Sequence, residues 1–82
     1  MSQWDKLILK LMNSPKEMRF ADLRKILEGY GYQMREKGNG SSHCTFRKEG
    51  RDPITIPRHG AIKAVYIEMV KAAVEKEEQR YE

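Results

Sequence analysis

The chain has 82 residues, 39% of them hydrophobic and 34% charged, with a net charge of +4; this describes one folded domain rather than a disordered segment. A domain this short hides only about 60% of the surface its unfolded chain exposes, so a deep interdomain cleft is excluded and any site must lie on a face or a loop. A single cysteine excludes an internal disulfide, and no apolar run nears the ~20 residues that span a bilayer.

The first element is a helix over residues 3–13. Trp4, Leu7, Ile8, Leu11 and Met12 fall at helical spacing, Ser2 is placed to cap the start, and Asn13-Ser14-Pro15 ends it. Trp4, Asp5 and Lys6 interrupt any leader-like apolar stretch, so a reducing, cytoplasmic setting is expected, with no membrane partner. A second helix runs from about Phe20 to Glu28, with Phe20, Leu23, Ile26 and Leu27 on one side and Gly29 and Gly31 beyond its end.

From Tyr32 the period changes to two. Tyr32 and Met34 alternate with Gln33, Arg35 and Lys37; after Gly38-Asn39-Gly40-Ser41, Cys44 and Phe46 alternate with His43, Thr45 and Arg47. Glu49-Gly50-Arg51-Asp52 is turn chemistry, and Ile54 and Ile56 flank Thr55 before Pro57 stops the strand. Three short strands in series read as an antiparallel meander with one apolar and one polar face. The polar face collects Gln33, Arg35, Lys37, His43, Thr45, Arg47 and Thr55.

A last helix is expected over about residues 61–78, with Ile62, Val65, Tyr66, Met69, Val70, Ala73 and Val74 on its apolar stripe. Nothing divides the chain, so residues 1–82 are read as one domain. It comprises an N-terminal helical extension (1–18), a core (19–76) and a polar tail expected to fray (77–82).

Charge is uneven along this order. Residues 34–63 carry seven Lys or Arg against three acids, while residues 64–82 carry three against five. A basic centre suits a polyanion such as RNA, although ordinary solvated surface would read the same way. Arg35, Lys37, Arg47, Lys48 and Arg51 fit a phosphate-tracking surface, which supplies affinity rather than sequence choice.

Two histidines could carry chemistry. His43 opens a strand on its polar face; a neutral imidazole can take a proton from a ribose 2′-hydroxyl, and an imidazolium can return one to a leaving 5′-oxygen. Residue type alone leaves it open whether His43 is more than a surface histidine. His59, in Pro57-Arg58-His59-Gly60, could meet phosphate with Arg58, cap its loop, or pair with His43 if the loop folds over the sheet. Cys44 alternates away from His43 and reads as core. The acids show no metal-ligand spacing, so neither metal nor cofactor is expected.

These residues carry a resemblance. Residues 20–74 resemble the HicA family of toxin–antitoxin ribonucleases, in the helix from Leu23 to Glu28 leading into Gly31-Tyr32. The most specific match is a Gly-Ser-His-His-x-Phe-like motif, here Gly40-Ser41-Ser42-His43-Cys44-Thr45-Phe46, followed by Ile54-Thr55-Ile56-Pro57-Arg58-His59. Cys44 replaces the second histidine of the motif, and an extra serine follows its glycine.

The resemblance implies an α+β fold with a double-stranded-RNA-binding-like α-β-β-β-α core and a three-stranded antiparallel sheet, plus an extra N-terminal helix. It further implies the toxin of a type II toxin–antitoxin system: an endoribonuclease (mRNA interferase) cleaving messenger RNA without a metal, with His43 as the acid–base residue. A HicB-like antitoxin would then cover the His43 surface. The expected RNA contacts are Arg35, Lys37, Ser42, Thr45, Arg47, Lys48, Arg58 and His59. The rival readings are a non-catalytic RNA-binding module of the same fold, and a protein-interaction domain whose basic face docks an acidic partner.

Overall fold

In a computed structural model describing residues 2–36 and 42–79, Ser2 caps helix α1 (Gln3–Met12) by accepting a hydrogen bond from the Asp5 amide at 3.1 Å. Leu11 is the residue of α1 that becomes fully buried, and Leu7, Ile8 and Met12 pack partly against the same core. Ser14 then takes a left-handed conformation (φ 51°), which turns the chain into the short strand β1 (Glu17–Arg19).

Helix α2 (Phe20–Gly29) buries Leu23, Ile26 and Leu27. Its end is a Schellman motif. Gly31 sits at φ 97°, its amide donates to the Glu28 carbonyl at 3.0 Å, and the Tyr32 amide donates to the Leu27 carbonyl at 3.0 Å. Only glycine takes that backbone without strain, which explains why the helix stops there.

The strands β2 (Gln33–Glu36), β3 (His43–Arg47) and β4 (Ile54–Pro57) form the expected antiparallel meander in the order β2-β3-β4. The register sets Gln33 opposite Arg47, Arg35 opposite Thr45, Thr45 opposite Thr55, and His43 opposite Pro57. Alternation then divides the side chains. Cys44, Phe46, Ile54 and Ile56 are buried against the helices, while Gln33, Arg35, His43, Arg47 and Thr55 are exposed. Phe46 is the central core residue, with the ring of Phe20 6.2 Å away.

Residues 61–63 depart from the helical expectation. Ala61–Lys63 form β5, antiparallel to β1, with Ile62 opposite Met18 and both side chains buried. Strand pairing buries Ile62 and satisfies backbone groups at the same time, whereas a helix beginning at residue 61 would leave β1 unpaired. Helix α3 therefore begins at Ala64 and ends at Gln79. Its buried stripe shifts to Ile67, Val70, Ala73, Val74 and Glu77, leaving Val65 and Met69 of the expected stripe 65% and 41% exposed.

The result is an α+β fold: α2 and α3 pack on one face of a small antiparallel sheet, α1 packs on these two helices, and β1 and β5 form a separate two-stranded ribbon. Leu11, Met18 and Ile62 share one buried cluster with Phe46 and Val70, so α1 and β1 contribute directly to the core. Among the described residues no helix is long and apolar enough to cross a membrane.

Candidate functional site

The outer face of the sheet is where the chemistry-bearing residues gather, because every second residue of β3 must point there. His43, Thr45 and Arg47 form one row along the middle strand, flanked by Arg35 and Gln33 on β2 and Thr55 on β4. Thr45, at the centre, is 8% exposed, and its hydroxyl is 3.0 Å from that of Thr55. It is a fixed hydrogen-bonding floor rather than the open contact that alternation alone suggests.

His43 stands exposed at the end of the row. The Ser42 hydroxyl lies 3.1 Å from its Nδ1, which restrains the ring and distinguishes the two nitrogens. One residue beyond the strand pairing, the Arg58 amide donates to the Ser42 carbonyl at 2.8 Å. That bond ties the Arg58-His59 segment to the His43 end of the sheet. Gly60, at φ 74°, then turns the chain into β5. Ser42, His43 and Arg58 are thus brought together, and exposed His59 follows half-buried Arg58 in the chain. Lys37 lies outside the described residues, as do Gly38–Ser41 of the motif.

Arg35, beside Thr45 at the middle of the face, and Arg47, at the end away from His43, occupy diagonal positions. The Arg35 Nη2 reaches Gln33 Oε1 at 3.4 Å, and both arginines are exposed. Lys48 is tied into the fold. Its Nζ donates to the Tyr30 carbonyl at 2.6 Å and to Glu77 Oε1 at 2.8 Å, and lies 5.9 Å from the centre of the Tyr32 ring. Arg51 joins it, with Nε 3.0 Å from the same carboxylate oxygen. Lys48 is therefore first a structural cation, holding the end of β3 to α2 and α3.

Glu77 is the residue that sequence reasoning missed. It is 3% exposed, and the hydrogen bond from Lys48, reinforced by Arg51, holds its carboxyl below the usual carboxylate range despite its burial. Burial pushes the nearby Tyr32 hydroxyl above the ordinary tyrosine value, and the Glu77 charge adds to that effect. Position offered the one available signal: Glu77 continues the helical stripe Val70–Val74, although its residue type reads as solvent-facing.

Among the described residues no group of three or more His, Cys, Asp or Glu could hold a metal ion. Cys44 is fully buried, as its alternation away from His43 suggested.

The comparisons with known proteins agree with the motif. A family model described as the HicA toxin of bacterial toxin–antitoxin systems matches residues 20–76, well over half of the chain. No curated protein and no solved structure matches the chain.

Proposed function

From the premise that this chain belongs to the HicA family of bacterial toxins, we propose that it is an endoribonuclease that cleaves messenger RNA at the His43 end of the outer sheet face. The observation that carries the reading is the placement of His43: exposed, restrained by Ser42, and on the same face as Arg35 and Arg47.

In this reaction the substrate brings its own nucleophile. His43 removes the proton of a ribose 2′-hydroxyl, whose oxygen attacks the adjacent phosphorus. The bond from phosphorus to the 5′-oxygen breaks, that oxygen takes a proton back from the His43 imidazolium, directly or through water, and the products are a 2′,3′-cyclic phosphate and a 5′-hydroxyl. With Nδ1–H donating to Ser42 Oγ, the tautomer this role requires, Nε2 is the ring atom assigned to proton transfer. Arg58 and His59 are at hand for the scissile phosphate, and a guanidinium there would stabilise charge building on the equatorial oxygens. In this reading no step calls for a metal, because the ribose supplies the nucleophile and His43 the base. A HicB-like antitoxin would silence the toxin by covering this face; acidic groups on it would complement Arg35, Arg47 and Arg58.

The test is incubation of the purified chain with a single-stranded RNA in EDTA, alongside the all-deoxy strand of the same sequence. Cleavage of the RNA to cyclic-phosphate ends, an intact DNA strand, and loss of cleavage in a folded His43→Ala variant are expected. Retained RNA binding with no product would replace the nuclease with a non-catalytic RNA-binding module.

A further inference from the structure

At the far end of β3 from His43 lies an open cleft of about 570 Å³, whose walls include Gln33, Arg35, Arg47, Lys48, Glu49 and Arg51. We propose that this cleft is a second phosphate subsite, which holds a non-scissile phosphodiester of the same RNA strand that reacts at His43. The inference rests on the nuclease reading for its strand, but on the cleft's own geometry for its ligand.

Of the four cations in the wall, Lys48 and Arg51 share the Glu77 carboxylate, which leaves Arg35 and Arg47 as the charges that repel each other when the cleft is empty. Gln33 lies opposite Arg47, so Arg35 is the diagonal neighbour of Arg47 on the same face, at a separation of about 7–8 Å. Among the described residues neither guanidinium has an acidic partner. Arg35 meets the amide oxygen of Gln33, and the Arg47 guanidinium makes no hydrogen bond or ion pair with any described residue. An anion between the two relieves their repulsion and accepts the planar, forked donors that suit a phosphate.

The remaining wall is held in place in advance. Glu77 fixes Lys48 Nζ at 2.8 Å and Arg51 Nε at 3.0 Å, while Arg51 Nη1 reaches the Gly50 carbonyl at 3.3 Å. The outer edge of the Arg51 fork keeps donors for a ligand, and little side-chain entropy is left to lose on binding.

Spacing then selects the kind of ligand. His43 and Arg47 are four residues apart on β3, so their attachment points are separated by roughly 13 Å along the strand. That is farther than two neighbouring phosphates of one chain can stand. A mononucleotide cannot touch both ends, whereas an extended oligonucleotide passing over Thr45 and Thr55 can. The continuity of the row His43–Thr45–Arg47 favours nucleic acid over an acidic peptide as the occupant.

The experiment measures binding of an all-2′-deoxy decamer, which lacks the 2′-hydroxyl and so cannot be cleaved by this chemistry. Wild type and the double variant Arg35→Gln/Arg47→Gln are compared by fluorescence anisotropy across a salt series, with thermal melts to confirm folding. The variant is expected to bind about tenfold more weakly at low salt, with a log–log salt slope shallower by about 0.7 for each phosphate that is no longer neutralised. Unchanged affinity and slope would overturn the subsite. Equally tight binding of a decameric glutamate peptide by the wild type would also overturn it, reassigning the cleft to a protein partner. Failure of the nuclease reading would show separately, as an uncleaved RNA decamer run in parallel.

Discussion

Lys48 Nζ lies 2.8 Å from Glu77 Oε1, and this pair joins the end of the central strand to the last full turns of the C-terminal helix. Glu77 is almost completely buried and its two cationic partners are mostly so, with Lys48 23% and Arg51 19% exposed. Charges in this state depend on one another, because each has given up water for its partner. Glu77→Gln keeps the shape and removes the charge. We expect it to cost about 2 kcal/mol, the value of hydrogen bonds to a charged group, seen as a lower midpoint in urea unfolding at neutral pH. A midpoint equal to that of the wild type would mean that the cluster contributes no net stability.

The same carboxylate gives stability a pH dependence of definite sign. Its folded-state pKa lies below the ordinary glutamate value, chiefly through the hydrogen bond from Lys48. In the unfolded chain the group titrates near its usual value of about 4.3. Above that pH the carboxylate is charged in both states and its contribution is fully present; it is lost as pH falls through the lower folded value. Urea midpoints taken from pH 7 down to pH 3 should therefore fall less steeply for Glu77→Gln than for the wild type. Parallel curves would place the acid sensitivity in other groups.

Trp4 and Gly29 make a contact that reverses a general rule. Replacing a helical glycine with alanine ordinarily stabilises by up to about 1 kcal/mol. Here a Cβ at position 29 would meet the outer carbons of the Trp4 indole, which also lies 5.6 Å from the ring of Tyr30. Overpacking of this kind costs about 1–3 kcal/mol, so Gly29→Ala should lower the melting temperature. Trp4 is the only tryptophan in the chain, so its displacement is directly visible as a red-shifted emission. A raised melting temperature with unchanged emission would contradict the contact.

These relationships show what a linear reading can reach. The meander was legible because Cys44, Phe46, Ile54 and Ile56 alternate with His43, Thr45, Arg47 and Thr55, and a period of two has few other solutions. The end of α2 was legible from Gly31 for the same reason: the signal is local. The ribbon of Glu17–Arg19 with Ala61–Lys63 was not. Three residues carry too short a pattern, and Ile62 fits a helical stripe as well as a strand. Glu77 failed differently. Its burial depends on Lys48 and Arg51, which are distant in sequence and unrelated to any helical period. His43 was legible as a position on the outer face, while its restraint by Ser42 came only with the geometry.

In the proposed reaction Ser42 is a positioning residue: its hydroxyl, 3.1 Å from His43 Nδ1, aims the ring without touching the scissile bond. Removing such a hydrogen bond is worth about 1 kcal/mol, or roughly fivefold in rate. Ser42→Ala should accordingly lower kcat for RNA cleavage about fivefold with KM unchanged, and Ser42→Thr, which keeps the hydroxyl, should restore most of it. A purely structural serine would instead change the melting temperature and leave the rate constant alone. If Ser42 acted as an RNA contact, the loss would fall on KM, and the assignment of Nε2 to proton transfer would lose its support.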